Sequence, residues 1–150
     1  MGQSLVQNYM HLVWSTKYRQ PLIIPEIEKS LHGFLASTCN KLDSPAIKVG
    51  GYYDHIHILC RVSKNIAIAK LMEQIKKTSS RWVKTIDPKF SNFYWQNGYG
   101  AFSVNPAGVD RVSRYIENQH EHHKSKSFKN EFRIYLKKYK VPYDEKYVWD

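Results

Sequence analysis

The sequence predicts an α+β fold of the ferredoxin-like, split βαβ kind: an antiparallel sheet with helices on one face, plus C-terminal helices. Two observations carry this. Along the chain, apolar residues alternate between strand-like period two and helix-like period in the order β-α-β-β-α-β, and further helical runs follow. At 150 residues, with no internal repeat and no linker-like stretch, the chain is expected to be a single domain, 1–150, with a core of its own.

Each element has its own signal. Residues 5–15 (LVQNYMHLVWS) mix alternation with Val, Tyr and Trp and read as the first strand. A basic connection follows through Thr16, Lys17, Tyr18 and Arg19, with Pro21 and Pro25 as breakers. Pro25 then serves as the first residue of a helix whose Ile27, Leu31, Phe34 and Leu35 recur at three- and four-residue spacing, ending at Asn40. Asp43-Ser44-Pro45 is a turn into a second strand over 47–53, where Gly50-Gly51 predicts a bulge or a close backbone approach. A third strand carries His55-Ile56-His57-Ile58-Leu59-Cys60.

The longest helix is expected over 66–86, with Ile68, Leu71, Met72, Ile75, Ser79, Trp82, Val83 and Ile86 on one core-facing stripe. Asp87-Pro88 breaks it. Residues 93–104 read as a turn into a fourth strand. Asn105-Pro106 starts a helix with Val109, Val112 and Ile116 as its apolar line, and a last helix covers 128–139.

The charge is lopsided, with 23 Lys and Arg against 13 Asp and Glu and a net charge of +10. Together with eleven Tyr and four Trp, this suits nucleic acid, because phosphates attract cations and unpaired bases stack on rings. An anionic membrane surface is the competing partner for such a charge. Cys39 and Cys60 do not make a disulfide framework. No apolar run approaches the roughly 18 residues of a membrane span, and no secretory leader is apparent, so a cytoplasmic chain is expected.

Two groups of residues carry chemistry. Side chains two apart on a strand share a face, so His55 and His57 point one way while Ile56 and Ile58 point into a core. Two imidazoles on a rigid strand can hold one metal ion, although a pair of surface histidines has the same pattern. Farther on, Tyr115 and Gln119 stand four apart on a helix and are neighbours on one face. Tyr115 borders the buried line, where its phenol is anchored yet accessible. The run His120-Glu121-His122-His123 scatters around the helix and reads as a polar helix end rather than a metal tract.

His55-Ile56-His57 on a strand with Tyr115-x-x-x-Gln119 on a later helix resembles the single-tyrosine HUH transposases of the smallest bacterial insertion sequences. The first strand running into Ser15-Thr16-Lys17-Tyr18-Arg19, and the stretch from Trp95 to Val104, are similar to further signatures of that family. The resemblance spans most of the chain. It implies a bacterial homodimer that cleaves and rejoins single-stranded DNA at hairpin-bearing ends, with Tyr115 as the nucleophile that forms a 5′-phosphotyrosine. It implies that His55, His57 and Gln119 bind a divalent metal, Mg²⁺ or Mn²⁺. It also allows the tyrosine helix to act in trans on the partner's histidines. Mg²⁺ prefers oxygen ligands and Mn²⁺ accepts nitrogen more readily.

Lys17, Arg19, Lys76, Lys77 and Arg81 are the expected contacts to the DNA backbone. Three other readings share parts of the pattern: a Rep- or relaxase-like HUH nicking protein, a non-catalytic ferredoxin-like nucleic-acid-binding module, and a zinc hydrolase indifferent to Tyr115. The sequence names no general base for Tyr115.

Overall fold

Residues 2–150 are described by a computed structural model. Its elements, in chain order, are β1 (Tyr9–Ser15), α1 (Pro25–Lys41), β2 (Ala46–Tyr52), β3 (His55–Arg61), α2 (Ile68–Ile86), β4 (Gly100–Ser103), α3 (Val109–Glu117), α4 (Gln119–His122) and α5 (Phe128–Lys138). The strands form one antiparallel sheet in the order β2-β3-β1-β4. This is the split βαβ plan, with β1 and β3 at the centre.

The pleat sorts the central strands into two faces. Leu12 pairs with Ile58 and Trp14 with Ile56, and these residues, with Met10 and Cys60, join the main core under α1 and α2. α1 starts with Pro25 in its first turn beside Glu26 and Glu28, whose charges complement the helix dipole. Its buried line is Ile27, Leu31, Leu35 and Cys39; that of α2 is Leu71, Met72, Ile75, Ser79 and Val83. The buried Trp95 indole donates to Ser79 Oγ at 2.9 Å, which explains a serine inside that stripe.

On the opposite face Val13 pairs with His57 and Ser15 with His55. α3 covers Leu59 with Ile116, and α5 covers Val13 and Phe102 with Phe128, Phe132 and Leu136. The C-terminal segment clamps α5 in place: Trp149 packs into that second cluster, Arg19 donates to the Trp149 carbonyl at 2.6 Å, and Gly98 N–H donates to that of Asp150 at 2.9 Å.

Several boundaries differ from expectation. β1 begins at Tyr9, because Leu5 and Val6 are 85% and 56% exposed and have no apolar face to join. The fourth strand keeps only four residues, with Trp95 making a separate bridge to Thr16. The helix expected at Pro106 opens with a 3-10 turn over Pro106–Gly108, where Asn105 Oδ1 accepts from Ala107 N–H at 2.9 Å. The register irregularity of β2 lies between Ala46 and Lys48, not at the glycines. Gly50 serves instead for close approach: a Cβ there would lie 2.5 Å from the carbonyl oxygen of Ile116, so the α3 backbone rests directly on β2. Among the described residues no helix is long and apolar enough to cross a membrane.

Candidate active site

β3 presents His55 and His57 on the face under α3–α5, and both are fully buried. Each ring is held from behind through Nδ1. Asp54 Oδ1 lies 2.7 Å from His55 Nδ1, and His11 Nε2 lies 2.7 Å from His57 Nδ1. Such outer partners set the tautomer and aim the remaining nitrogen, and here both Nε2 atoms aim at the same small volume.

Two further residues converge there. Gln119 Oε1 lies 2.8 Å from His55 Nε2, while the Gln119 amide donates to Glu131 Oε2 at 3.2 Å, which fixes its orientation. Glu131 comes from α5, is 1% exposed, and has Oε1 2.9 Å from His57 Nε2. The Tyr115 hydroxyl donates to Glu131 Oε2. The Tyr115 ring is edge-on to His57, with centroids 6.0 Å apart, and stacks on His122 at 4.6 Å. Tyr115 and the histidine pair thus meet within one chain.

The electrostatics follow from burial and crowding. Burial pushes the Glu131 carboxyl up, but His57, His123 and His55 pull it further down, so it stays anionic, well below the usual carboxylate range. Burial lowers His57 and His11. Burial and the adjacent Glu131 raise the Tyr115 phenol above its ordinary value, so at rest it is a neutral donor. For His123, burial is outweighed by Glu131 and the net direction is upward.

The donor set fits a divalent cation. With His55 Nδ1–H given to Asp54, the His55 Nε2 lone pair faces a second lone pair on Gln119 Oε1, an arrangement satisfied by a proton or a cation between them. His123 Nε2 is buried without a hydrogen bond; it lies 3.1 Å from Glu131 Oε2, out of line. One ligand atom from each of His55, His57, His123 and Glu131 lies within 4.8 Å of the others, so this buried group could hold a metal ion.

All four expected site residues therefore come together, with two departures. Tyr115 and Gln119 do not share one helix: α3 ends at Glu117, and Gln119 opens α4 after Asn118. The run His120-Glu121-His122-His123 is a polar helix end only in part. His120 reaches Glu28 at the surface at 2.7 Å, whereas His123 turns inward to the site.

The expected DNA contacts are scattered. Lys77 and Arg81 are exposed on α2, across the sheet from the histidines. Lys76 donates to the carbonyls of Asn97 and Gly98 at 2.8 and 2.9 Å, and Arg19 is engaged by Trp149; Lys17 is exposed after β1.

Sequence reasoning missed Glu131, His123, His11 and Asp54. One signal was available: Glu131 interrupts the apolar line Phe128, Phe132 and Leu136, and a carboxylate on a buried stripe needs a partner.

Comparison with known proteins places the fold and the family. The family of IS200-like transposases matches residues 4–119. The transposase TnpA of ISDra2 from Deinococcus radiodurans is 24% identical over 116 residues, which cover 74% of this chain and 83% of that protein. Among solved structures, a Deinococcus radiodurans protein assigned as a transposase superposes with a TM-score of 0.63 at 22% identity, over 79% of this chain and 96% of that one. A REP-associated tyrosine transposase bound to a REP hairpin superposes with a TM-score of 0.60 at 11% identity, over 82% and 73%. These likenesses establish the fold, and the family match, which covers most of the chain and ends at Gln119, establishes that this protein belongs to the IS200-like transposases.

Proposed function

We propose that this chain cleaves and rejoins single-stranded DNA at hairpin-bearing ends through a 5′-phosphotyrosine formed on Tyr115, with Mg²⁺ or Mn²⁺ as cofactor. The observation that carries the reading is the convergence of Tyr115, Gln119 and the two histidines on one buried carboxylate, Glu131. The hairpin-bound state of the REP-associated structural neighbour supports a hairpin substrate.

In this mechanism Tyr115 oxygen attacks phosphorus, an oxygen–phosphorus bond forms, and the bond from phosphorus to the 3′ oxygen breaks. Tyr115 gives up one proton and the departing 3′ oxygen gains one. Glu131 Oε2, already the acceptor of the phenolic hydrogen bond, stands where that proton leaves. Rejoining is the reverse attack by a 3′-OH, and the bond energy stored on Tyr115 removes any need for ATP. His55, His57 and Gln119 would hold the cation, with Glu131 and His123 within reach. When bound, it supplies Lewis-acid stabilisation of charge on the phosphoryl oxygens. Two imidazoles suit Mn²⁺, and the added oxygen donors suit either ion.

A homodimer carrying two tyrosines would handle two DNA ends. Action in trans would require α3 to leave its seat on Gly50.

The test is covalent trapping on a denaturing gel with a labelled hairpin-bearing strand, alongside calorimetry of Mn²⁺ binding. A shifted band with Mg²⁺ or Mn²⁺, lost in EDTA, in Tyr115→Phe and in His55→Ala, is expected, and His55→Ala should also weaken Mn²⁺ binding. An adduct that survives Tyr115→Phe, or no adduct on a strand the protein binds, would overturn the proposal.

A further inference from the structure

A cleft of about 800 Å³ opens between α3, α5 and the end of β4, with Tyr115 and Glu131 among its lining residues. It reaches the candidate nucleophile, while His55 and His57 are closed to solvent. Its wall carries three cations from three segments: Arg111 of α3, Lys126 before α5, and Lys138 at the end of α5. Among the lining residues the only carboxylate is Glu131, which is already committed to His57, Gln119 and Tyr115. The positive charge of the wall is therefore unopposed.

The same wall has a line of aromatic rings. Tyr115 and Tyr135 have centroids 6.1 Å apart, and Tyr135 and Tyr139 lie 6.3 Å apart and nearly parallel, so the rings run outward from the phenol. Cations spread along a groove beside such rings are what an unpaired strand requires: phosphates take the charges and bases take the π-faces. Duplex DNA has no free faces to offer. Of the cleft-lining residues named here, Lys126, Glu131, Tyr135, Lys138 and Tyr139 lie beyond the span matched by the family.

We propose that this cleft holds the unpaired strand next to the phosphate attacked by Tyr115, with Arg111, Lys126 and Lys138 against its phosphates and the Tyr139 ring against a base. This rests on the proposed function and goes beyond it by placing the strand on the α3–α5 side of the sheet, not on the α2 side, where Lys77 and Arg81 stand.

The experiment is fluorescence anisotropy of the full chain with a labelled single-stranded oligodeoxynucleotide, titrated at several salt concentrations. Neutralising Arg111, Lys126 and Lys138 together to Ala should weaken binding and flatten the log K against log salt slope by about 2, or about 0.7 for each lost phosphate contact. Tyr139→Leu should weaken binding by about tenfold with the slope unchanged, as expected for one lost stacking contact. Lys77→Ala with Arg81→Ala should do neither.

The proposal is overturned if the triple variant keeps the wild-type affinity and slope, or if the Lys77 and Arg81 pair carries the loss. Failure of the cleft and failure of the chemistry are distinguishable. Adduct formation with a binding-neutral triple variant sinks the cleft alone. A strand held in the cleft without any adduct sinks the transposase mechanism alone.

Discussion

Replacing Gly50 by alanine should lift the tyrosine helix off the sheet. The new Cβ would stand 2.5 Å from the carbonyl oxygen of Ile116 and 2.7 Å from its Cγ2. The first distance is roughly 0.9 Å short of the 3.4 Å at which ordinary contact begins, and the obstacle is backbone, which cannot swing aside as a side chain does. α3 or β2 must shift by an amount of that order.

Overpacking of this kind costs about 1–3 kcal/mol, and for a chain of this size each kcal/mol lowers Tm by about 2–4 °C. Tyr115 neighbours Ile116, so the phenol shifts with the helix. A misplacement of about 1 Å can cost about 10² in rate. Urea unfolding would read the stability change, and the initial rate of covalent trapping would read the displacement. Gly33→Ala is the matched control: it lies within α1 with nothing within 4 Å of the added methyl, and should gain about 0.5–1 kcal/mol. If Gly50→Ala matches the wild type in both stability and trapping rate, α3 does not sit on β2 and the reasoning fails.

Two further perturbations test other parts of the molecule. Asp54→Ala frees Nδ1 of His55, and calorimetry with Mn²⁺ should show affinity lower by about 10–100-fold; an unchanged affinity would mean that His55 needs no orienting partner. Burial lowers Lys76 from 10.5 to about 8, so between those values the unfolded chain binds more protons and stability rises with pH. Below about pH 8 Lys76 is protonated in both states and the burial penalty is present in full. The stability of the wild type relative to Lys76→Met should therefore climb across that window in urea unfolding, and a flat difference would show that the carbonyls of Asn97 and Gly98 hold the ammonium against burial.

What could be read without coordinates was whatever depends on local periodicity. Alternation in β3 decides that His55 and His57 share a face opposite Ile56 and Ile58, because a strand has period two whatever packs on it. The stripe of α2 from Leu71 to Val83 and the opening of α1 at Pro25 are legible for the same reason, although Ile86, expected on that stripe, is 40% exposed at the helix end. The pairing of Tyr115 with Gln119 survives although the helix breaks at Asn118, since both side chains still reach Glu131.

The partners of those residues were not legible. His11 and His57 are 46 positions apart, and His57 and Glu131 are 74 apart. No local period links such residues; the sheet register and the packing of α5 bring them together. Lys76 is expected only as a contact to the DNA backbone, and the carbonyls it donates to belong to a loop whose path only the assembled core defines. The sequence alone determined which side chains face which way along each element. Only the tertiary structure decided which of them meet, because meeting depends on long-range packing that the order of residues within one element does not encode.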